Sequence, residues 1–227
     1  KCNVIFTTSF GYMDDTIAAG EKYPDVTFMH CSGFKVSDNV GTYFGDLYQA
    51  YYLNGIMAGV LTKTNKIGYV AAFPIPELVR HINALTLGAK AVNPDIEVHV
   101  RWTYAWYGPD KAKEAAESLI AAGCDALAFT EDTPAVIEVG QDHSEKGDQI
   151  YTFAHYSPMQ EKATYLGGDF DSIVNPKFEA ELKGINVDFP GYGNISVYDL
   201  VEQLTEVMTN EGRGAFDPYD GPIYDNK

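Results

Sequence analysis

Six side chains stand where short apolar runs give way to loops, and their types suggest one chemistry. Phe10 and Tyr12 follow Val4-Ile5-Phe6, Trp106 follows the run ending at Thr103, Glu131 and Asp132 follow Asp125 to Thr130, and His155 follows Gln149 to Ala154. Aromatic faces stack on flat rings, and carboxylates accept hydrogen bonds from ring or exocyclic N–H groups, so the set suits a flat, nitrogen-rich ligand. Each residue also has a plainer reading. Phe10 can be the buried aromatic of a strand-to-helix loop, Glu131 and Asp132 can merely favour a helix N-terminus, and a lone histidine can be a packing residue.

Catalytic constellations are poorly represented. The sequence has no Gly-x-Ser-x-Gly elbow, no phosphate-binding Walker loop, no dinucleotide glycine fingerprint and no His-Glu-x-x-His or clustered Cys/His metal signature. Gly191-Tyr192-Gly193 and Gly212-Arg213-Gly214 are too short and poorly placed to be phosphate loops. No cofactor is implied. Carboxylates are numerous enough to serve as a general acid and base, which keeps a carboxylate-dependent nucleoside or sugar hydrolase as the alternative to a binding protein.

The totals narrow the partners. The chain has 227 residues, 45% hydrophobic and 21% charged, with 32 acidic residues against 16 basic and a formal net charge of −16. Such a balance opposes binding to nucleic-acid polymers or anionic lipid surfaces. Cys2 begins one apolar run and Cys31 ends another, so in neighbouring parallel strands they would lie too far apart for a disulfide. Cys124 is expected to pack as a small apolar residue.

The elements that must position these groups alternate in type. Val4 to Phe6 reads as a strand covered on both faces, Asp15 to Lys22 as a helix ended by Tyr23-Pro24-Asp25, and Val26 to Cys31 as a second strand. A polar loop from Ser32 to Gly41 then leads to a long buried helix from Thr42 to Thr62. Asp46, Gln49 and Asn54 interrupt its apolar stretch, which argues against a membrane span, and Gly55-x-x-x-Gly59 would allow close helix packing. Lys63 to Lys66 forms the first lobe boundary. Further strands are expected at 67–72, 96–103, 125–130 and 149–154, with helices at 77–92, from Pro109 to about Gly123, from Pro134 to about Gln141, at 176–182 and at 197–209. Thr133 suits the N-cap and Pro134 the first helical position. Alternating strands and helices imply an α/β fold with parallel sheets, whose ligands bind at the carboxyl ends of the strands.

In this order and spacing the motifs resemble a known family, the basic membrane protein (PnrA-like) family of substrate-binding lipoproteins that serve ABC transporters. The resemblance rests on Thr7-Thr8-Ser9-Phe10-Gly11-Tyr12-Met13-Asp14, Tyr23-Pro24-Asp25, Asp38-Asn39-Val40, Lys66-Ile67-Gly68-Tyr69-Val70, Gly88-Ala89-x-x-Val92-Asn93-Pro94 and Gly221-Pro222-Ile223. It implies a two-lobed, periplasmic-binding-protein-like (type I) fold with parallel sheets. Residues 1–63 would belong to lobe one, 66–165 to lobe two, and 171–227 would be divided between the lobes. It further implies an extracytoplasmic protein that captures a purine in an interlobe cleft and passes it to a membrane permease. The Ser-Phe-Gly-Tyr-Met-Asp and Trp106-Tyr107-x-Pro109 loops look closest to an adenine-binding branch. Asp169 replaces a lysine usual in nucleoside-binding relatives, which favours a bare base and adds a seventh ligand-site residue. The family's opening strand and helix units precede the stretch that begins this chain. A longer precursor carrying a signal peptide and a lipid-anchor cysteine is therefore expected, with the first lobe truncated here.

Overall fold

The computed structural model describes residues 2–157, 159, 166–168, 173–210 and 216–219. Two compact units divide between Asp46 and Leu47.

In the first unit, strands β1 (Val4–Thr7), β2 (Thr27–Cys31) and β3 (Val40–Tyr43) form a parallel sheet in the order β1-β2-β3, with helix α1 (Met13–Lys22) as the crossover. A single 3-10 turn, Phe10–Tyr12, connects β1 to α1. The expectation that Val4 to Phe6 are covered on both faces fails. Among the described residues β1 pairs only with β2, and Phe6 is 67% exposed. An apolar run marks a strand without saying whether neighbours flank it. Strand β3 lies within the stretch expected to be a polar loop and the start of a helix. Its pairing with β2 comes from tertiary context that a Val-Gly-Thr-Tyr sequence does not announce.

The second unit is built on five parallel strands, β4 (Lys66–Ala71), β5 (Glu97–Trp102), β6 (Ala126–Thr130), β7 (Tyr151–Phe153) and β8 (Leu166–Gly168), in the order β5-β4-β6-β7-β8. Helices α2 (Tyr48–Leu61), α3 (Pro76–Val92), α4 (Pro109–Ala121) and α5 (Ala135–Glu145) belong to the same unit. Buried residues of β6, α4 and α5, among them Leu119, Leu127, Phe129 and Val136, form a continuous apolar cluster with Cys124 from the α4–β6 connection. After it come the short helix α6 (Glu179–Lys183), an antiparallel hairpin of β9 (Asn186–Phe189) and β10 (Gly193–Ser196), and helix α7 (Val197–Asn210). Gly191 (φ +84°) and Gly193 (φ +67°) make the turn of that hairpin, a conformation that costs glycine little.

Helix α2 is apolar nearly all round and buried accordingly. Its contact with α3 depends on missing side chains. A Cβ at Gly55 would lie 2.2 Å from the Leu85 carbonyl oxygen, and one at Gly88 2.0 Å from that of Tyr52. The expected close packing through Gly55 and Gly59 is therefore present, and Gly88 answers it from α3. No helix among the described residues is long and apolar enough to cross a membrane.

Candidate functional site

The carboxyl ends of β6 and β7 open into a cavity of about 520 Å³ lined by Glu131, Asp132, Thr133, Pro134, His155, Tyr156, Ser157 and Met159. Three of the residues singled out in the sequence thus share one site. Strand β6 ends at Thr130, and the chain must leave the sheet before α5 begins at Ala135. Glu131 and Asp132 occupy that exit. The helix starts one residue later than expected, with Pro134 in the N-cap position, and Thr133 accepts a hydrogen bond from the Ala135 N–H at 3.3 Å.

Glu131 is fully buried. Its Oε1 accepts a hydrogen bond from the Thr103 hydroxyl, while Oε2 is buried without a hydrogen-bond partner. Burial pushes its carboxyl up to about 6. The Thr103 hydrogen bond holds it back, and the Asp132 charge adds to the rise. Asp132 is more exposed, and partial desolvation raises its carboxyl as well. Its backbone N–H donates to the Trp106 carbonyl oxygen at 2.8 Å, tying the aromatic loop after β5 to the floor of the site. The Trp106 ring packs on Phe73 with centroids 5.4 Å apart, and Tyr104 meets the same phenylalanine edge-on at 6.3 Å.

His155 is 4% exposed and lies with its ring 3.5 Å from that of Tyr156. Its Nδ1 is 2.6 Å from the Tyr51 hydroxyl on α2. Tyr51 also donates to the Phe129 carbonyl oxygen at 3.0 Å, lies 3.3 Å from the Thr130 hydroxyl and stacks on His81 of α3 at 4.5 Å. Tyr156 donates to Glu77 Oε1 at 2.9 Å. Burial, with His81 nearby, drives the His155 imidazole well below its ordinary value, and burial lowers His81 to about 3. Both rings are neutral near pH 7.

Thr103, Tyr51 and Tyr156 were not anticipated. Tyr156 adjoins His155 and could have been found by extending the strand-end rule by one position. Tyr51 lies in the middle of a helix, 104 residues from its partner, with no local signal.

Phe10 and Tyr12 belong to the first unit, in the turn after β1. Phe10 packs against Phe34 with centroids 6.2 Å apart, and Tyr12 is 61% exposed. Beneath them the Thr16 hydroxyl donates to the Tyr12 carbonyl oxygen at 2.7 Å and lies 3.0 Å from the Thr7 hydroxyl, which is 2.7 Å from His30 Nδ1. Asp169 lies outside the described residues. A second cavity of this unit, about 660 Å³, is lined by Cys2, Asn3, Ile5, Tyr23 and Val26 among others. Apart from Ile5 in β1, these residues precede β1 and β2, at the end of a parallel sheet opposite to that used for ligands.

The fold and the position of the cavity define a class of protein. A solute-binding protein of an ABC transporter system from Aeropyrum pernix K1 matches 90% of this chain and 55% of its own length with a TM-score of 0.64, at 17% identity. This likeness establishes the fold class, the α/β type I fold of periplasmic solute-binding proteins, as expected. Residues 1–156 match the family described as ABC transporter substrate-binding protein, PnrA-like, and the chain belongs to that family. Among its relatives, Haloferax volcanii TsgA13, provisionally named an ABC transporter glucose-binding protein, is 46% identical over 174 residues, 77% of this chain and 42% of its own. The purine-binding protein BAB2_0673 of Brucella abortus is 42% identical over 143 residues, 63% of this chain and 41% of its own. The chain therefore spans about two-fifths of the length of these relatives. Family members are solute-binding proteins rather than enzymes, so the hydrolase alternative falls away.

Proposed function

We propose that the chain is the ligand-capturing part of an extracytoplasmic, lipid-anchored solute-binding protein that takes up a purine, adenine above others, and delivers it to an ABC permease. The observation that carries this reading is the Glu131 carboxylate, whose buried Oε2 lacks a partner at a cavity large enough for a small heterocycle. A buried charged oxygen left unpaired is costly, and a ligand N–H would satisfy it. Asp132 supplies a second acceptor, and the loop bearing Trp106 is hydrogen-bonded to it, which suits an aromatic ring beside polar recognition. The purine-binding Brucella relative supports the same ligand class. In this reading Phe10 and Tyr12 supply aromatic surface to the ligand, and Asp169 accepts a further N–H group.

A sugar is the second reading, favoured by the name of the Haloferax relative. Calorimetric titration with adenine, guanine, adenosine, inosine and glucose separates the two. Adenine binding at one-to-one stoichiometry, with no heat from glucose, is the expected result. Absence of binding by all four purine compounds overturns the purine reading, and binding of glucose alone replaces it with the sugar.

A further inference from the structure

Tyr51 does not line the cavity, yet its single proton determines what the cavity offers. The Phe129 carbonyl oxygen, 3.0 Å from the Tyr51 hydroxyl, can only accept, so the phenolic proton must lie between those two oxygens. With that proton committed, the 2.6 Å contact between the Tyr51 oxygen and His155 Nδ1 needs a proton from the histidine. The opposite assignment would leave two oxygens facing each other at 3.0 Å without a hydrogen between them. Thr130, 3.3 Å from Tyr51 and hydrogen-bonded to Tyr69, can donate to the remaining lone pair of the same phenol.

We infer that His155 is held in the Nδ1–H tautomer by Tyr51 and turns an unprotonated Nε2 toward the cavity, making Tyr51 a positioning residue that selects ligands presenting N–H or O–H donors. The inference deepens the purine reading and rests on it for the ligand, though not for the tautomer. Burial supports the neutral ring, since a buried imidazolium would need a counter-charge. The polar surroundings agree. Glu131 and Asp132 are acceptors when ionised, and the Ser157 hydroxyl is directed back at the His155 carbonyl oxygen, 3.5 Å away. Three acceptors converge, so a heterocycle with an exocyclic amino group fits better than one whose matching edge carries a carbonyl.

The test is a long-range proton–nitrogen spectrum of the chain labelled at its five histidines, with His155 assigned through His155→Gln. At neutral pH, Nδ1 should appear in the protonated range and Nε2 in the unprotonated range. The reverse tautomer, or an imidazolium, overturns the inference, and this measurement needs no ligand. On saturation with adenine the Nε2 signal should move upfield while the tautomer is kept. Binding without any change at Nε2 overturns donor recognition. Failure of adenine to bind at all counts against the proposed function and leaves the tautomer result to decide the rest. Tyr51→Phe should let the Nε2–H form appear and weaken adenine about tenfold, the size of one lost hydrogen bond. If that variant keeps the single Nδ1–H tautomer, Tyr51 is not the residue that sets it.

Discussion

Glu131 combines two features at odds with stability, a charge under full burial and an oxygen without a hydrogen-bond partner. Its carboxyl is raised from 4.5 to about 6, so between those values the folded chain holds a proton that the unfolded chain has lost. Stability must then fall as pH rises through that window, and the penalty is fully present at pH 7. Glu131→Gln removes the charge while keeping an acceptor for Thr103. The variant should gain roughly 1–2 kcal/mol at pH 7 in urea unfolding, lose that advantage below about pH 4.5, and bind ligand at least about tenfold more weakly. A variant less stable than the parent at pH 7 would mean that the carboxylate is structurally compensated. Glu131, Asp132 and His155 were legible in the sequence because a parallel strand must release its chain at the carboxyl edge. Thr103 and Tyr51 were not, because each reaches its partner only after separate elements have packed.

Tyr51 is also held by the close approach of α2 and α3. The approach brings Tyr51 onto His81 at 4.5 Å. A methyl at Gly88 would press on the Tyr52 carbonyl oxygen, one residue from Tyr51, and a methyl at Gly55 would press on that of Leu85. Backbone cannot yield there as a flexible side chain could, so Gly88→Ala and Gly55→Ala should each lose about 3 kcal/mol or more. Gly11→Ala is the control, because nothing lies within 4 Å of its Cβ position, and it should stay within about 0.5 kcal/mol. Thermal unfolding of the three variants measures this directly, and equal melting temperatures would refute the packing argument. The Gly55-x-x-x-Gly59 spacing announced this contact, as the apolar periodicity of residues 77–92 announced α3. The β9–β10 hairpin and strand β3 went unread, since neither carries a long apolar or alternating run and both owe their form to pairing partners.

At the scale of the molecule, buried histidines set the acid limit. His81 and His155 are depressed in the folded state, so as pH falls below about 6.5 the unfolded chain takes up protons that the folded one resists. Each should remove about 1.4 kcal/mol per pH unit well below 6.5, and His81→Phe should flatten the acid limb of the stability profile measured by urea unfolding. Unchanged slopes would place the acid sensitivity elsewhere. At neutral pH a different balance governs association. Strand β1 pairs only with β2 among the described residues, and Val4, Ile5 and Phe6 are 50%, 36% and 67% exposed. Such an edge can pair with another chain. The net charge of −16 opposes that encounter, and salt screens the repulsion, shortening its range from about 10 Å at 0.1 M to about 3 Å at 1 M. This chain should therefore be closest to monomeric at about 0.05 M salt and associate as salt rises to about 0.5 M, the reverse of an interface held by ion pairs. Phe6→Lys, which places a charge on the edge strand, should suppress the association at both concentrations. Light scattering across the two conditions decides it. A monomer at every salt concentration would show that the edge is protected, and association that weakens with salt would assign the contact to charged surfaces instead of β1.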